Sequence, residues 1–195
     1  DYKTGKKDFN IVKTYYGIDI QLMVYMEAAM KLVAKMRPGK NVIPAGVFYY
    51  NISDPIVSAT TESAEEIEDK IKGELRLKGM VNSDKDIAEK MDNTGGTSLN
   101  IPVSRKADGG FDSRRSKVMN TEQFNMLGRF VDVRAVDTAD RIAGGDIRRS
   151  PYKDGQFSSC DRCPYGAVCG FSVDLPGCNY RKLKKFDDEV LWNNI

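Results

Sequence analysis

The sequence predicts an α/β protein, and three observations carry that prediction. Apolar residues recur near helical spacing at Ile18, Leu22, Met26, Met30 and Val33. Residues 45–52 form a β-branched and aromatic run that reads as a buried strand. Further helical stretches then follow, so helices and strands alternate along the chain, the order expected of a layered α/β domain.

The first helix is expected over residues 18–36 and to stop at Arg37-Pro38-Gly39, because proline and glycine together interrupt helical hydrogen bonding. Thr61 or Ser63 can cap a second helix running through Glu65, Ile67 and Ile71 to about Leu77, with acidic residues in its first turns, where the helix dipole favours them. A shorter capped helix is expected at 83–91, a flexible loop at 92–97 and a short strand at 101–104. Arg105, Lys106, Arg114, Arg115 and Lys117 make the next segment basic and glycine-containing. It reads either as a solvated loop or as a face toward a phosphate backbone. Thr121 opens a long helix reaching Ala143, with Phe124, Leu127, Phe130, Val131 and Ile142 as core-facing positions and Gly144-Gly145 as its stop.

Composition narrows the chemistry. With 195 residues and 41% hydrophobic content, the chain can bury a real core, and one domain with a small appendage is expected, divided here as 1–150 and 151–195. Thirty basic residues against 28 acidic ones leave a net charge of +2, which decides nothing about nucleic acid because clustering matters more than the total. The absence of histidine removes Ser-His-Asp and Cys-His catalysis and every His-containing metal site. Carboxylate, lysine, tyrosine and cysteine remain. No run of about 18 apolar residues exists to span a bilayer, and no signal peptide is evident, so a soluble cytoplasmic protein is expected. The chain begins at Asp1 with a strand already in progress, which suggests part of a longer protein.

In a strand, Asp1 and Lys3 project to the same side. A carboxylate that holds Mg²⁺ beside a lysine that orients water is what metal-assisted phosphodiester hydrolysis uses. Alone, a D-x-K triplet is common and reads as a surface strand end. Gln21 and Tyr25 lie four residues apart on one helix face and can hydrogen-bond a phosphate or a metal-bound carboxylate. Read by themselves, they are a partly buried tyrosine with a polar neighbour.

Together, Asp1-Tyr2-Lys3-Thr4-Gly5 and the segment from Tyr16-Gly17 through Gln21 to Tyr25 resemble the (D/E)xK and QxxxY motifs of RecB-like nucleases, in the PD-(D/E)xK superfamily. Pro44-Ala45-Gly46-Val47-Phe48-Tyr49-Tyr50, Leu77-Lys78-Gly79-Met80 and the terminal cysteine segment are similar to the AddB-type helicase-nuclease subunits, so the resemblance covers nearly the whole chain. It implies a restriction-endonuclease-like fold: a central mixed sheet flanked by helices, truncated here at its N-terminal side, followed by a cysteine-rich segment. It implies Asp1 as a Mg²⁺ ligand, Lys3 as the catalytic lysine, and Gln21 and Tyr25 as positioning residues. It also expects a second metal-binding aspartate upstream of Asp1, without which this chain should not cut DNA.

The four cysteines follow the pattern Cys160-x2-Cys163-x5-Cys169-x8-Cys178, near the end of a histidine-free chain where disulfides are disfavoured in the cytosol. Four thiolates suit tetrahedral zinc or an iron-sulfur cluster, and spacing alone does not separate them. Residues 160–171 resemble the AddB-type iron-sulfur staple, in which three C-terminal cysteines join a fourth far upstream. The resemblance therefore implies Cys160, Cys163 and Cys169 as ligands of a [4Fe-4S] cluster, absent or incomplete in this chain alone. Cys178 lies where the pattern requires no cysteine and is read as a bystander.

The expected function is metal-dependent DNA exonuclease action within a helicase-nuclease that resects double-strand breaks for recombinational repair. The resemblance further implies cleavage of the 5′-terminated strand, an AddA-type partner subunit, and ATP use outside this chain. The alternative is a non-catalytic nucleic-acid-binding module built on a four-cysteine zinc site, which needs Cys178 as a ligand.

Overall fold

The computed structural model of the protein describes residues 7–52, 54–58 and 63–195. These form two compact units, one reaching to Asp132 and including Ile195, the other Val133–Asn194.

The first unit opens with α1 (Ile11–Tyr15), capped by Asn10, whose side-chain oxygen accepts from Lys13 N at 3.0 Å. Fully buried Thr14 then donates its hydroxyl toward Asn10 O (3.1 Å) and Asp19 O (2.9 Å), which turns the chain into α2 (Gln21–Met36). β1 (Gly46–Tyr49), α3 (Ala64–Leu75), β2 (Lys78–Asn82), α4 (Lys85–Met91) and β3 (Val118–Met119) follow, before α5 (Thr121–Ala143). Of the two caps proposed for α3, Thr61 lies outside the described residues. Ser63 forms a full capping box with Glu66, accepting from Glu66 N at 3.3 Å while Glu66 Oε2 accepts from Ser63 N at 2.7 Å.

The three strands make one small mixed sheet in the order β1-β2-β3, antiparallel between β1 and β2 and parallel between β2 and β3. Its central strand, β2, has no strand-like pattern in the sequence. Its five residues include Gly79, opposite Phe48, where a Cβ would run into the carbonyl oxygen of Val47. The glycine that weakens the sequence signal is thus what lets the two strands approach.

Cross-strand partners share a face, so Phe48 and Val81 point one way and Val47 and Tyr49 the other. On the first side Val81 packs with Ala88 of α4 and with Ile101 and Val103. On the second, α2 packs against β1, and Met23 and Met26 are buried. The helix begins at Gln21 rather than Ile18; of the expected stripe Met26 is buried and Leu22 and Met30 are half-buried, while Val33 is 40% exposed and Met23, outside that stripe, is fully buried. Helix α5 runs alongside α2: a Cβ at Gly128 would meet the Glu27 carboxylate, Lys31 Nζ reaches Asp132 at 2.6 Å, and Tyr15 stacks on Phe130. Phe124, Leu127 and Val131 form its buried stripe as expected, whereas Ile142, expected in the core, is 72% exposed.

The stretch expected to be a flexible loop is anchored instead. Asp92 Oδ2 accepts from Ser98 Oγ (2.6 Å) and Asn100 Nδ2 (3.0 Å), and Oδ1 accepts from Thr94 N (2.8 Å). Burial pushes the Asp92 carboxyl up, but these donors outweigh it and hold it well below the usual carboxylate range. Arg76 braces the same loop by donating to Ile101 O (2.7 Å) and Val103 O (3.0 Å). The strand expected at 101–104 is not one. Ser104 makes an isolated antiparallel bridge to Thr97.

In the second unit, β4 (Tyr152–Asp154), β5 (Phe157–Ser158) and β6 (Arg181–Lys182) form another small mixed sheet, ordered β5-β4-β6. Short α6 (Gly166–Cys169) lies between β5 and β6, and α7 (Asp188–Trp192) follows β6. Among the described residues no helix is long and apolar enough to cross a membrane.

Candidate active site

Asp1 and Lys3 lie outside the described residues, of which Lys7 is the first. Lys7 Nζ pairs with Asp19 Oδ1 at 2.9 Å, and Asp19 Oδ1 also accepts from the Tyr49 hydroxyl at 3.1 Å. The Lys7 ammonium sits 5.2 Å from the centroid of the Tyr49 ring, a cation–π distance. Lys7 N meanwhile donates to the Asn51 side-chain oxygen at 3.0 Å. One carboxylate thus ties three parts together: the segment following the Asp1-Tyr2-Lys3 motif, the entry to α2, and β1.

Two residues past Asp19, Gln21 begins α2. Its Nε2 donates to the Tyr25 hydroxyl at 2.9 Å, one turn further along. Because the Tyr25 oxygen acts as acceptor here, its own proton is directed elsewhere, and with Tyr25 half exposed that proton is available to a ligand oxygen. The pairing expected from spacing is therefore formed. Tyr25, 50% exposed, stands at an apolar groove between α2 and residues 42–47.

The basic segment is held as firmly as the Asp92 loop from which it emerges. Asp112 N donates to Ser104 O (2.8 Å), Ser116 N to Asp112 O (2.9 Å), Ser104 N to Ser116 Oγ (2.9 Å) and Lys117 N to Pro102 O (2.8 Å). Arg114 and Arg115 are exposed at its tip. Arg115 and Lys117 line a pocket with Lys7 and Lys78.

A sequence model of the PD-(D/E)XK nuclease superfamily matches residues 1–170. The chain belongs to that superfamily. Over its whole length it is 38% identical to the B subunit of an ATP-dependent helicase/deoxyribonuclease from Clostridium botulinum (strain Hall). Proteins of the same name from Thermoanaerobacter sp. (strain X514) and Lachnoclostridium phytofermentans are each 35% identical, also over the whole chain. In every case the chain spans 17% of the relative's length. The expected mixed α/β class holds for this superfamily member, with small three-stranded mixed sheets and helices.

The superfamily match takes in three of the four cysteines, all of which are free thiols. Cys160 and Cys163 share a turn, with Cys163 N donating to Cys160 O at 3.1 Å, while Cys169 ends α6 and its carbonyl accepts from Arg149 at 3.2 Å. Hydrogen bonding with the Cys160 thiol raises the Tyr180 hydroxyl above its ordinary pKa, against a lowering contribution from Ser158. Among the described residues no group of three or more Cys, Asp or Glu side chains stands close enough to hold a metal ion. The donor chemistry of three thiols suits iron and sulfur.

Sequence reasoning missed Asp19, Lys7 and Lys78. Asp19 sits two residues before Gln21, and the signal available was a lone acidic residue between apolar ones at the entry to an amphipathic helix. For Lys7 and Lys78 there was no local signal, since their roles depend on segments far apart in the chain.

Proposed function

We propose that this chain supplies catalytic residues to an ATP-dependent helicase-nuclease of the kind its relatives are named for, which hydrolyses DNA phosphodiester bonds with Mg²⁺ during double-strand break resection and recombinational repair. The superfamily match over residues 1–170, which takes in both Asp1-Tyr2-Lys3 and the Gln21–Tyr25 pair, carries this reading. Names of the relatives support DNA as substrate and a second subunit, here of the AddA type, as partner. ATP use belongs to the longer protein, its setting is the cytoplasm, and the 195-residue chain alone is expected not to cleave.

Asp1 is a hard oxygen donor and suits Mg²⁺, which when bound polarises a phosphate oxygen and acidifies a water. Lys3 would orient an attacking water and stabilise the charge that develops on the phosphate. Tyr25, whose oxygen is occupied by Gln21, turns its proton toward a phosphate oxygen and fixes the strand. Asp19 places α2 against the segment that follows the motif. In the second unit, Cys160, Cys163 and Cys169 would be the thiolates that hold an iron-sulfur cluster, which when bound with a further ligand would crosslink the domain over a long range.

The test uses the longer protein. Lys3→Ala is expected to abolish Mg²⁺-dependent cleavage of linear duplex DNA while leaving thermal melting unchanged; full cleavage by that variant overturns the catalytic assignment. Iron and sulfide in anaerobically purified protein support the cluster. Stoichiometric zinc without iron favours the four-cysteine zinc module instead, with Cys178 as a ligand.

A further inference from the structure

We infer that the basic pocket between the start of β2 and the loop before β3 binds the phosphodiester backbone of a DNA strand. The inference rests on the nuclease reading and extends it to where the strand lies. The pocket draws on three separate parts of the first unit: Lys7 after the motif segment, Arg76 and Lys78 around the entry to β2, and Arg115 with Lys117 ahead of β3. Two carboxylates, Asp8 and Glu74, face these five cations, so positive charge is in surplus.

Internal pairing does not consume that surplus. Lys7 Nζ is engaged by Asp19 at 2.9 Å and Lys117 Nζ by Asp8 at 2.6 Å, which leaves Arg76, Lys78 and Arg115 against Glu74. Arg76 donates to two neutral carbonyls, and Asp92 beside Arg76 and Asp112 beside Arg115 act on their charges without forming an ion pair with them. Lys78 and Arg115 form no ion pair among the described residues, and Arg115 is exposed.

The support beneath these side chains is rigid. Lys78 is paired into the sheet opposite Tyr49, and the Arg115 loop is fixed by the Ser104, Asp112 and Ser116 hydrogen bonds. Cations held in advance on several elements lose little freedom when an anion arrives, and a row of them suits successive phosphates better than a single small anion. Exposed Arg114 extends the same charge beyond the pocket. Along the chain, three residues separate Lys7 from Lys3.

Binding is measured by fluorescence anisotropy of a labelled, mixed-sequence single-stranded oligodeoxynucleotide with the whole chain, between about 50 and 200 mM salt. The double variant Lys78→Gln/Arg115→Gln is expected to weaken binding whatever the sequence. It is also expected to make the slope of log affinity against log salt shallower by about 1.4, from roughly 0.7 per cation lost on a single strand. The control Lys35→Gln/Lys40→Gln removes the same charge beyond the pocket lining and is expected to leave the slope in place. Equal losses in both pairs, or an unchanged slope in the pocket pair, overturn the proposal. Should the double variant unfold by circular dichroism, Arg115→Gln alone, on the exposed loop, carries the test with half the change in slope. Failure of the nuclease reading shows separately, as cleavage retained by Lys3→Ala, because anisotropy requires no catalysis.

Discussion

Replacing Asp92 with asparagine tests whether the loop that carries Arg115 and Lys117 is built on one carboxylate. The wild-type oxygens accept from Ser98 Oγ, Asn100 Nδ2 and Thr94 N, all between 2.6 and 3.0 Å. Asparagine turns one oxygen into a donor facing donors and removes the charge that strengthens the remaining bonds. Two bonds are lost or weakened at a site only 8% exposed, and hydrogen bonds to charged groups contribute about 1.5–3 kcal/mol each, so Asp92→Asn is expected to cost about 3 kcal/mol. For a chain of 195 residues that corresponds to a fall in Tm of roughly 6–12 °C by calorimetry or circular dichroism. The sign with pH follows from the depressed carboxyl. Between its folded pKa and the ordinary value near 3.9, the unfolded chain binds the extra proton. The contribution of Asp92 is therefore complete above about pH 4 and fades as pH falls below that. Wild type should destabilise through that acid range more steeply than the asparagine variant. A loss under about 1 kcal/mol, with the same acid slope in both proteins, would refute the reasoning.

Gly79→Ala should destabilise the first unit by about 3 kcal/mol, because the new Cβ meets backbone rather than a movable side chain and the two strands must part; denaturant unfolding measures it, and a neutral result overturns the close-approach argument. In the longer protein, Tyr25→Phe should reduce the rate of cleavage about tenfold, equivalent to about 1.4 kcal/mol. Its melting should stay within about 0.5 kcal/mol of wild type because the ring is half exposed, and an unchanged single-turnover rate removes Tyr25 from the site.

Much of the local structure was legible in the sequence because caps and periodicity are local. The cap offered at Thr61 or Ser63 and found at Ser63, the glycine stop after Ala143 and the Phe124, Leu127, Val131 stripe of α5 each depend on neighbours within a turn or two. The Gln21–Tyr25 contact was legible for the same reason, being fixed by the helical repeat. Asp1 and Lys3 stood out through resemblance to a nuclease motif, since a D-x-K triplet carries little by itself.

Where an element's role depends on a distant partner, the sequence was silent or misleading. β2 holds the centre of its sheet through Val47, Phe48 and Val118, with a glycine in place of a strand-forming side chain. α2 buries Met23 as well as the expected Met26, because neighbours distant in sequence cover more than one side of the helix, which its periodicity alone does not show. The sequence by itself determined which chemistry remained in a histidine-free chain and which residues could perform it. Only the tertiary structure decided that Asp19 joins Lys7 to Tyr49 and that Lys7, Lys78, Arg115 and Lys117 surround one pocket. Such convergence is fixed by pairing across the sheet and by anchored loops, which no local pattern of residues encodes.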